Sequence, residues 1–353
     1  MNNKAITGGL TLKTGGSTGK SKEIVHSWAF NKRVTEAGGY CLKELTPKPI
    51  KVVNLLPSGN MNGGFIFVNN ICETLNLQVF PIGVANFDST KEVIERNKVD
   101  TLCCVPAYLE LLYSNNVLGP DLKHILVIGS LITEDLIKRI KKTLPLVNIQ
   151  SLAYSTTETG PIGYQCMHLN SYDFHVLEEF VELELLDVND ENEGLIAVTP
   201  KFANNEFLVN YNTGDVGKVI KPYCKCGTNA KTLRLYGRFN ESIKLILGDT
   251  NIHTNMFAND VLNCFKMFFK EINKIEIQVV VSQKEEKLSF NFSVASKYDV
   301  IDKTPIIKEL ENLKALLFVK ENQCMGHVRL AFIDYVNFKT NAFMKTPFFL
   351  TEF

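Results

Sequence analysis

The sequence predicts an α/β protein in two parts: a large layered N-terminal domain carrying a β subdomain, and a small mobile α+β domain at the C-terminus. Three observations lead there. Short β-rich runs alternate with helical patterns between residues 51 and 153, the rhythm of a mostly parallel sheet covered by helices. Strand-rich sequence with turn residues then fills 181–198 and 232–247, and a composition break follows Gly248. The boundary falls at residue 240, giving domains of 1–239 and 240–353 with the β subdomain over about 176–236.

In chain order, Leu10–Lys13 reads as a strand ahead of a Gly/Ser-rich segment. Lys51–Leu56 is a further strand, followed by a helix near Gly64–Leu75, a strand at Val79–Ile82, a helix near Thr90–Asn97 and a strand at Thr101–Val105. Leu122–Ile128, the amphipathic stretch Glu134–Leu144 and Ile149–Ala153 continue the alternation. The tail predicts a helix near Met256–Phe269, a hairpin of Ile275–Val281 and Lys287–Val294 joined by the charged Ser282–Glu286 turn, and a helix near Pro305–Leu317.

The 353 residues are 45% hydrophobic and 22% charged, enough to build two cores. Lys plus Arg equals Asp plus Glu at 38 each, so no net field recommends nucleic acid or an anionic membrane as a partner. No run approaches the roughly 18 apolar residues of a membrane span, and a polar stretch follows Met1, so a cytoplasmic location is expected. Nine cysteines, an odd number, point to reduced thiols or a metal site rather than a disulfide framework.

Five segments carry chemistry. In Thr14-Gly15-Gly16-Ser17-Thr18-Gly19-Lys20-Ser21-Lys22, glycines let the backbone approach phosphate, hydroxyls and amides donate to its oxygens, and lysine supplies charge. A P-loop nucleotide hydrolase would use a similar segment, but its pattern wants glycine where this chain has Thr14. In Tyr154-Ser155-Thr156-Thr157-Glu158-Thr159-Gly160, Thr157 and Glu158 set a hydroxyl beside a carboxylate, hard donors for a Mg²⁺ on a triphosphate. Tyr211-Asn212-Thr213-Gly214-Asp215 turns to present one carboxylate that can take both hydroxyls of a ribose. Gly237-Arg238-Phe239-Asn240 crosses the domain boundary, with Arg238 toward a nucleotide and Asn240 as a pivot. Near the end, Lys345 in Lys339-Thr340-Asn341-Ala342-Phe343-Met344-Lys345 can neutralise charge developing at a carboxylate and an α-phosphate. Taken singly, each segment also reads as a surface turn, a cap, a junction or a solvated lysine.

Together and in this order, the segments make the chain resemble the adenylate-forming superfamily of acyl- and aryl-CoA ligases, adenylation domains and luciferases. Tyr223-Cys224-Lys225-Cys226-Gly227, Val105-Pro106-Ala107 and Val127-Ile128-Gly129-Ser130 place the resemblance in its phenylacetate-CoA ligase-like branch. The resemblance implies a compact, N-terminally truncated version of that fold. It also implies two half-reactions: ATP and a small carboxylic acid form an acyl-adenylate, and the acyl group passes to the thiol of CoA or of a carrier-protein phosphopantetheine. Thr14, Gly16, Ser17, Thr18, Gly19 and Lys22 would surround the leaving pyrophosphate, Thr157 and Glu158 would organise Mg²⁺, and Tyr154, Asp215 and Arg238 would hold the nucleotide. Asn240 would be the hinge and Lys345 the lysine of the first half-reaction. Asn60, Gly63, Ser130 and Gly160 would line the acyl pocket, which offers no acidic partner for an ammonium and so disfavours an α-amino acid.

Departures from the family pattern are Ser21 in place of proline, Asn240 in place of the hinge aspartate, and a C-terminal segment that lacks the glycine before its lysine. These keep a non-catalytic ATP-binding homologue as the alternative, and the short N-terminal part leaves an edge for a second copy or a partner chain to cover. Cys166, His175, Cys224 and Cys226 can form a Cys₃His zinc site, with His168 an alternative fourth ligand. Buried thiols acting as small apolar side chains are the competing reading.

Overall fold

The computed structural model describes residues 8–14, 22–188, 192–201, 208–220, 224–238, 241–247, 252–270, 272, 276–334, 337–340 and 348–352. The chain divides into two compact units, the first ending at 239 and the second beginning at 240.

The first unit starts with an antiparallel hairpin, β1 (Gly9–Lys13) and β2 (Glu23–Ser27), in which Lys13 lies opposite Glu23. Helix α1 (Trp28–Lys43) follows at once because the Ser27 side chain accepts the Phe30 amide and caps it. Then come β3 (Lys51–Asn54), α2 (Gly63–Thr74), β4 (Gln78–Pro81), α3 (Phe87–Asn97), β5 (Thr101–Cys104), α4 (Pro106–Ser114), β6 (His124–Val127), α5 (Glu134–Thr143) and β7 (Asn148–Ser151). The five strands form a parallel sheet in the order β4-β3-β5-β6-β7. Val52, Val53, Leu102, Cys103, Ile125, Leu126 and Val127 have no exposed surface, as expected of strands covered on both faces. From β3 the chain steps to β4 on one side and then to β5 on the other. That reversal puts a crevice at the carboxyl ends of β3 and β5, the usual ligand position in such sheets.

Two features hold this layer together. A Cβ added at Gly38 of α1 would lie 2.4–2.6 Å from the Phe67 and Ile71 side chains of α2, so the helices approach through a glycine surface. Arg139 of α5 grips Glu110 of α4 with two bonds of 2.7 and 2.6 Å, and the Glu110 side chain is only 1% exposed. Arg139→Met should therefore strand a buried carboxylate and lower stability by about 3 kcal/mol. Chemical denaturation would check this, and a loss under about 1 kcal/mol would show that Glu110 finds another partner.

Seven strands then form an antiparallel sheet: β8 (Tyr154–Thr156), β9 (Gly160–Tyr164), β10 (Asp173–Val176), β11 (Val181–Leu186), β12 (Gly194–Pro200), β13 (Tyr211–Ile220) and β14 (Thr232–Arg238), ordered β11-β12-β13-β14-β10-β9-β8. This sheet begins at Tyr154, well before the residue 176 expected for the β subdomain. The physical reason is that β8 is three residues long and β9 reads Gly-Pro-Ile-Gly-Tyr, too short and too glycine-rich to show an alternating pattern.

The second unit contains β15 (Ser242–Ile246), β16 (His253–Phe257), α6 (Ala258–Lys266), β17 (Ile277–Lys284), β18 (Lys287–Ala295), α7 (Thr304–Glu311), α8 (Lys314–Glu321), β19 (Met325–Ile333) and β20 (Phe349–Glu352). The sheet β19-β18-β17-β20 buries Val279, Phe290 and Phe292 against Phe265, Leu310 and Leu316. The helix expected near 305–317 is two helices, because Leu313 adopts extended backbone and caps the second. No described helix is long and apolar enough to cross a membrane.

Candidate nucleotide site

Between β1 and β2 the chain leaves and re-enters through a closed neck. The Thr14 amide donates to the Lys22 carbonyl and the Lys22 amide donates to the Thr14 hydroxyl, both at 2.9 Å. The hydroxyl that separates this chain from the P-loop pattern thus closes the loop itself. Lys22 is exposed, while Gly16, Ser17, Thr18 and Gly19 lie outside the described residues. The Lys13 amide donates to the Met61 carbonyl at 2.9 Å, tying the hairpin to the turn after β3.

Thr157 and Glu158 form the tip of the β8–β9 hairpin, just past the carboxyl end of β7. The turn is fixed by the Thr159 amide donating to the Thr156 hydroxyl at 3.1 Å. His26 of β2 reaches across, its Nε2 lying 2.6 Å from the Thr157 carbonyl. Burial holds the His26 pKa below its ordinary value, so the ring is neutral near pH 7 and its Nε2–H is the donor. Burial and the nearby Glu158 carboxylate push the Tyr211 phenol above its ordinary value. Neither His26 nor a role for Tyr211 follows from the sequence reading. His26 lies in an ordinary strand, and Tyr211 lies in β13, far along the chain from the β8–β9 hairpin.

Tyr154 of β8 meets Asp215 and Arg238, which lie on the paired strands β13 and β14. The Tyr154 hydroxyl donates to Asp215 Oδ2 at 2.8 Å, and Arg238 Nε lies 3.1 Å from Oδ1. Arg238 Nη1 also donates to the Thr213 carbonyl at 2.6 Å, since Asp215 and Arg238 are cross-strand partners. Gly214 has φ +76°, and a Cβ there would sit 3.0 Å from Arg238 Nη1, so glycine is what the tight turn admits. Burial raises the Tyr154 pKa well above its ordinary value, keeping it a donor. The Asp215 side chain is 13% exposed. Each carboxylate oxygen keeps a second lone-pair site for an incoming hydroxyl. Tyr154, Asp215 and Arg238 thereby form one connected polar group, and the charges of Glu158, Asp215 and Arg238 all act on the Tyr211 phenol.

The remaining predicted residues are more dispersed. Asn60, exposed with φ +46°, follows β3, Gly63 opens α2 behind the Asn62 cap, and Ser130 follows β6. All three stand at the carboxyl edge of the parallel sheet. Gly160 is buried, and the side its Cβ would occupy meets Val34 Cγ2 at 2.7 Å, so there the glycine packs against α1. A cavity of about 230 Å³ lined by Ile137, Lys141, Asn148, Gln165 and Ser171 contains none of these residues. Asn240 and Lys345 lie outside the described residues. Lys339 belongs to the second unit, where its amide donates to Gln278 Oε1 at 2.8 Å and its ammonium pairs with Glu352.

On the same antiparallel sheet, Cys166 after β9, His175 in β10, and Cys224 and Cys226 in the β13–β14 connection gather their ligand atoms within 4.8 Å of one another. His168 is not a member of this group, correcting the alternative ligand; β10 turns His175 to the thiols instead.

The AMP-binding enzyme family matches residues 12–194. No curated protein matches the sequence. Among solved structures, the chain is similar to a 2-hydroxyisobutyryl-CoA ligase in the postadenylation state with 2-HIB-AMP, at TM-score 0.63 and 12% identity, covering 97% of this chain and 73% of that one. It is similar to the o-succinylbenzoate coenzyme A synthetase of Bacillus subtilis in complex with AMP, at TM-score 0.55 and 14% identity, with coverages of 95% and 67%. ATP-bound MatB of Rhodopseudomonas palustris gives TM-score 0.57 and 15% identity, with coverages of 94% and 65%. These likenesses are of fold, the α/β architecture of adenylate-forming enzymes. Matched over more than half of its 353 residues, the chain belongs to the AMP-binding enzyme family.

Proposed function

We propose that the protein activates a small carboxylic acid with ATP and transfers the acyl group from the acyl-adenylate to a thiol, that of coenzyme A. The observation that carries this is the connected group of Tyr154, Asp215 and Arg238 in a chain of this family. Support also comes from the similar structures, which hold an acyl-adenylate, AMP or ATP, one of them with CoA in a thioesterification state.

Asp215 receives the ribose hydroxyls, with Arg238 and Tyr154 fixing its orientation. The Thr14–Lys22 loop receives the β- and γ-phosphates at a hairpin end rich in amides. Glu158 and Thr157 present hard oxygen donors suited to Mg²⁺, which when bound would neutralise phosphate charge. The substrate carboxylate oxygen attacks the α-phosphorus as the bond to pyrophosphate breaks. The thiol sulfur then attacks the carbonyl carbon, AMP leaves, and the thiol proton passes to solvent. Lys345 would face the charge of the first step, and the second unit would turn about Asn240 between the two steps.

ATP–pyrophosphate exchange with a panel of aryl and medium-chain acids, followed by addition of CoA, tests the reading. Acid-dependent exchange and thioester are expected; release of phosphate without acid would favour a hydrolase, and no exchange with any acid a non-catalytic homologue. Lys345→Ala should lower exchange by about 10²–10³-fold while sparing thioester formation from a premade adenylate. Exchange at the unaltered rate in that variant would remove Lys345 from the role.

A further inference from the structure

We propose that Cys166, His175, Cys224 and Cys226 bind one Zn²⁺ as a closed structural site. Cys166 Sγ lies 3.5 Å from both His175 Nε2 and Cys224 Sγ, and Cys226 Sγ lies 3.3 Å from His175 Nε2. Zinc bonds of about 2.3 Å to sulfur and about 2.0 Å to nitrogen make tetrahedral edges of roughly 3.5–3.8 Å, close to these separations. Every pair of the four atoms is within 4.8 Å. A disulfide needs sulfurs about 2.05 Å apart, so the Cys166–Cys224 pair is not one.

The surroundings prepare the ligands. His175 has no exposed surface, and its Nδ1 lies 3.3 Å from the Thr232 hydroxyl, which leaves Nε2 to face the thiols. An outer partner on one ring nitrogen, freeing the other for metal, is how ligating histidines are usually oriented. Cys224 and Cys226 sit two residues apart on a turn closed by the Gly227 amide donating to the Cys224 carbonyl at 3.0 Å. Gly227 has φ +82° with no atom near its Cβ position, so the backbone bend rather than packing sets the residue. Cys41 shows the contrasting behaviour of a core thiol, donating to the Ala37 carbonyl inside α1.

The site joins two connections of the antiparallel sheet, β9–β10 and β13–β14, to strand β10. It pins the turn between β13 and β14, and the opposite end of those two strands carries Asp215 and Arg238. Four protein ligands leave no open coordination position, so the metal holds the sheet and takes no part in the reaction. The inference stands on the cluster alone, so it survives if the activity proposed above is wrong.

Metal analysis of the purified full chain should find about one zinc per chain. After chelation and reloading with Co²⁺, the visible bands and thiolate charge transfer of tetrahedral sulfur-ligated cobalt should appear. Chelation should lower the thermal midpoint by on the order of 10 °C, reversed by added zinc. Cys226→Ser should weaken zinc by more than roughly 100-fold, beyond the effect of losing an outer partner. Cys324→Ser, outside the group, should leave binding unchanged. If Cys226→Ser fails to fold, the cobalt spectrum of the unaltered protein decides the matter. Protein made with ample zinc that carries none and gives no tetrahedral cobalt spectrum, or a Cys166–Cys224 disulfide found by mass spectrometry, would overturn the proposal.

Discussion

Glu158→Gln should lower ATP–pyrophosphate exchange by about 10²–10³-fold, with little change in thermal stability. The carboxylate sits half-buried at a hairpin tip whose shape is set by Thr156 and Thr159, so the backbone does not depend on it. Glutamine keeps the length of the side chain and one acceptor oxygen. What it removes is one negative charge facing the place where the triphosphate and its metal would lie. A change confined to charge should act on the transition state more than on folding. Exchange within about threefold of the unaltered protein, at matched Mg²⁺, would show that Glu158 does not hold the metal.

The parallel layer was legible because its strands are buried on both faces and read as apolar runs between helical patterns. Predicted Thr101–Val105 and Leu122–Ile128 correspond to β5 and β6 within two residues at either end. Helix α1 was not legible: Gly38 and Gly39 look like breakers in one dimension, and only contact with Phe67 and Ile71 explains why they are favourable in three. The β8–β9 hairpin hid for a similar reason, its Gly160 suiting close packing against α1 and its Gly163 against β10 rather than strand propensity. Within the site, Tyr154, Glu158, Asp215 and Arg238 stood out because their segments carry turn residues beside charge. The contact of His26 with the Thr157 carbonyl joins segments 131 residues apart that no local pattern encodes. The cysteines were legible as a set through the Cys-x-Cys spacing, yet choosing His175 over His168 needed the register of β10 with β9 and β14.

Asp215→Asn should reduce kcat/KM for ATP by about 10²-fold, mainly through KM. A carboxylate accepting two ribose hydroxyls makes charge-assisted bonds worth about 1.5–3 kcal/mol each, and the amide keeps one acceptor while weakening both. The same change loosens the ion pair with Arg238, but the Arg238 side chain is 42% exposed, so that loss should cost stability no more than about 1 kcal/mol. A fall in kcat/KM alone would not separate contact with the ribose from a shift of Arg238 or Tyr154. Substrate deletion does separate them. The unaltered protein should use 2′-deoxy-ATP about tenfold less well than ATP, and the Asn variant should discriminate much less, because the partner of the missing hydroxyl is already impaired. If the variant still prefers ATP by the full factor, the ribose is read elsewhere, and the Tyr154–Asp215–Arg238 cluster is a strand-pairing device with no part in holding the nucleotide.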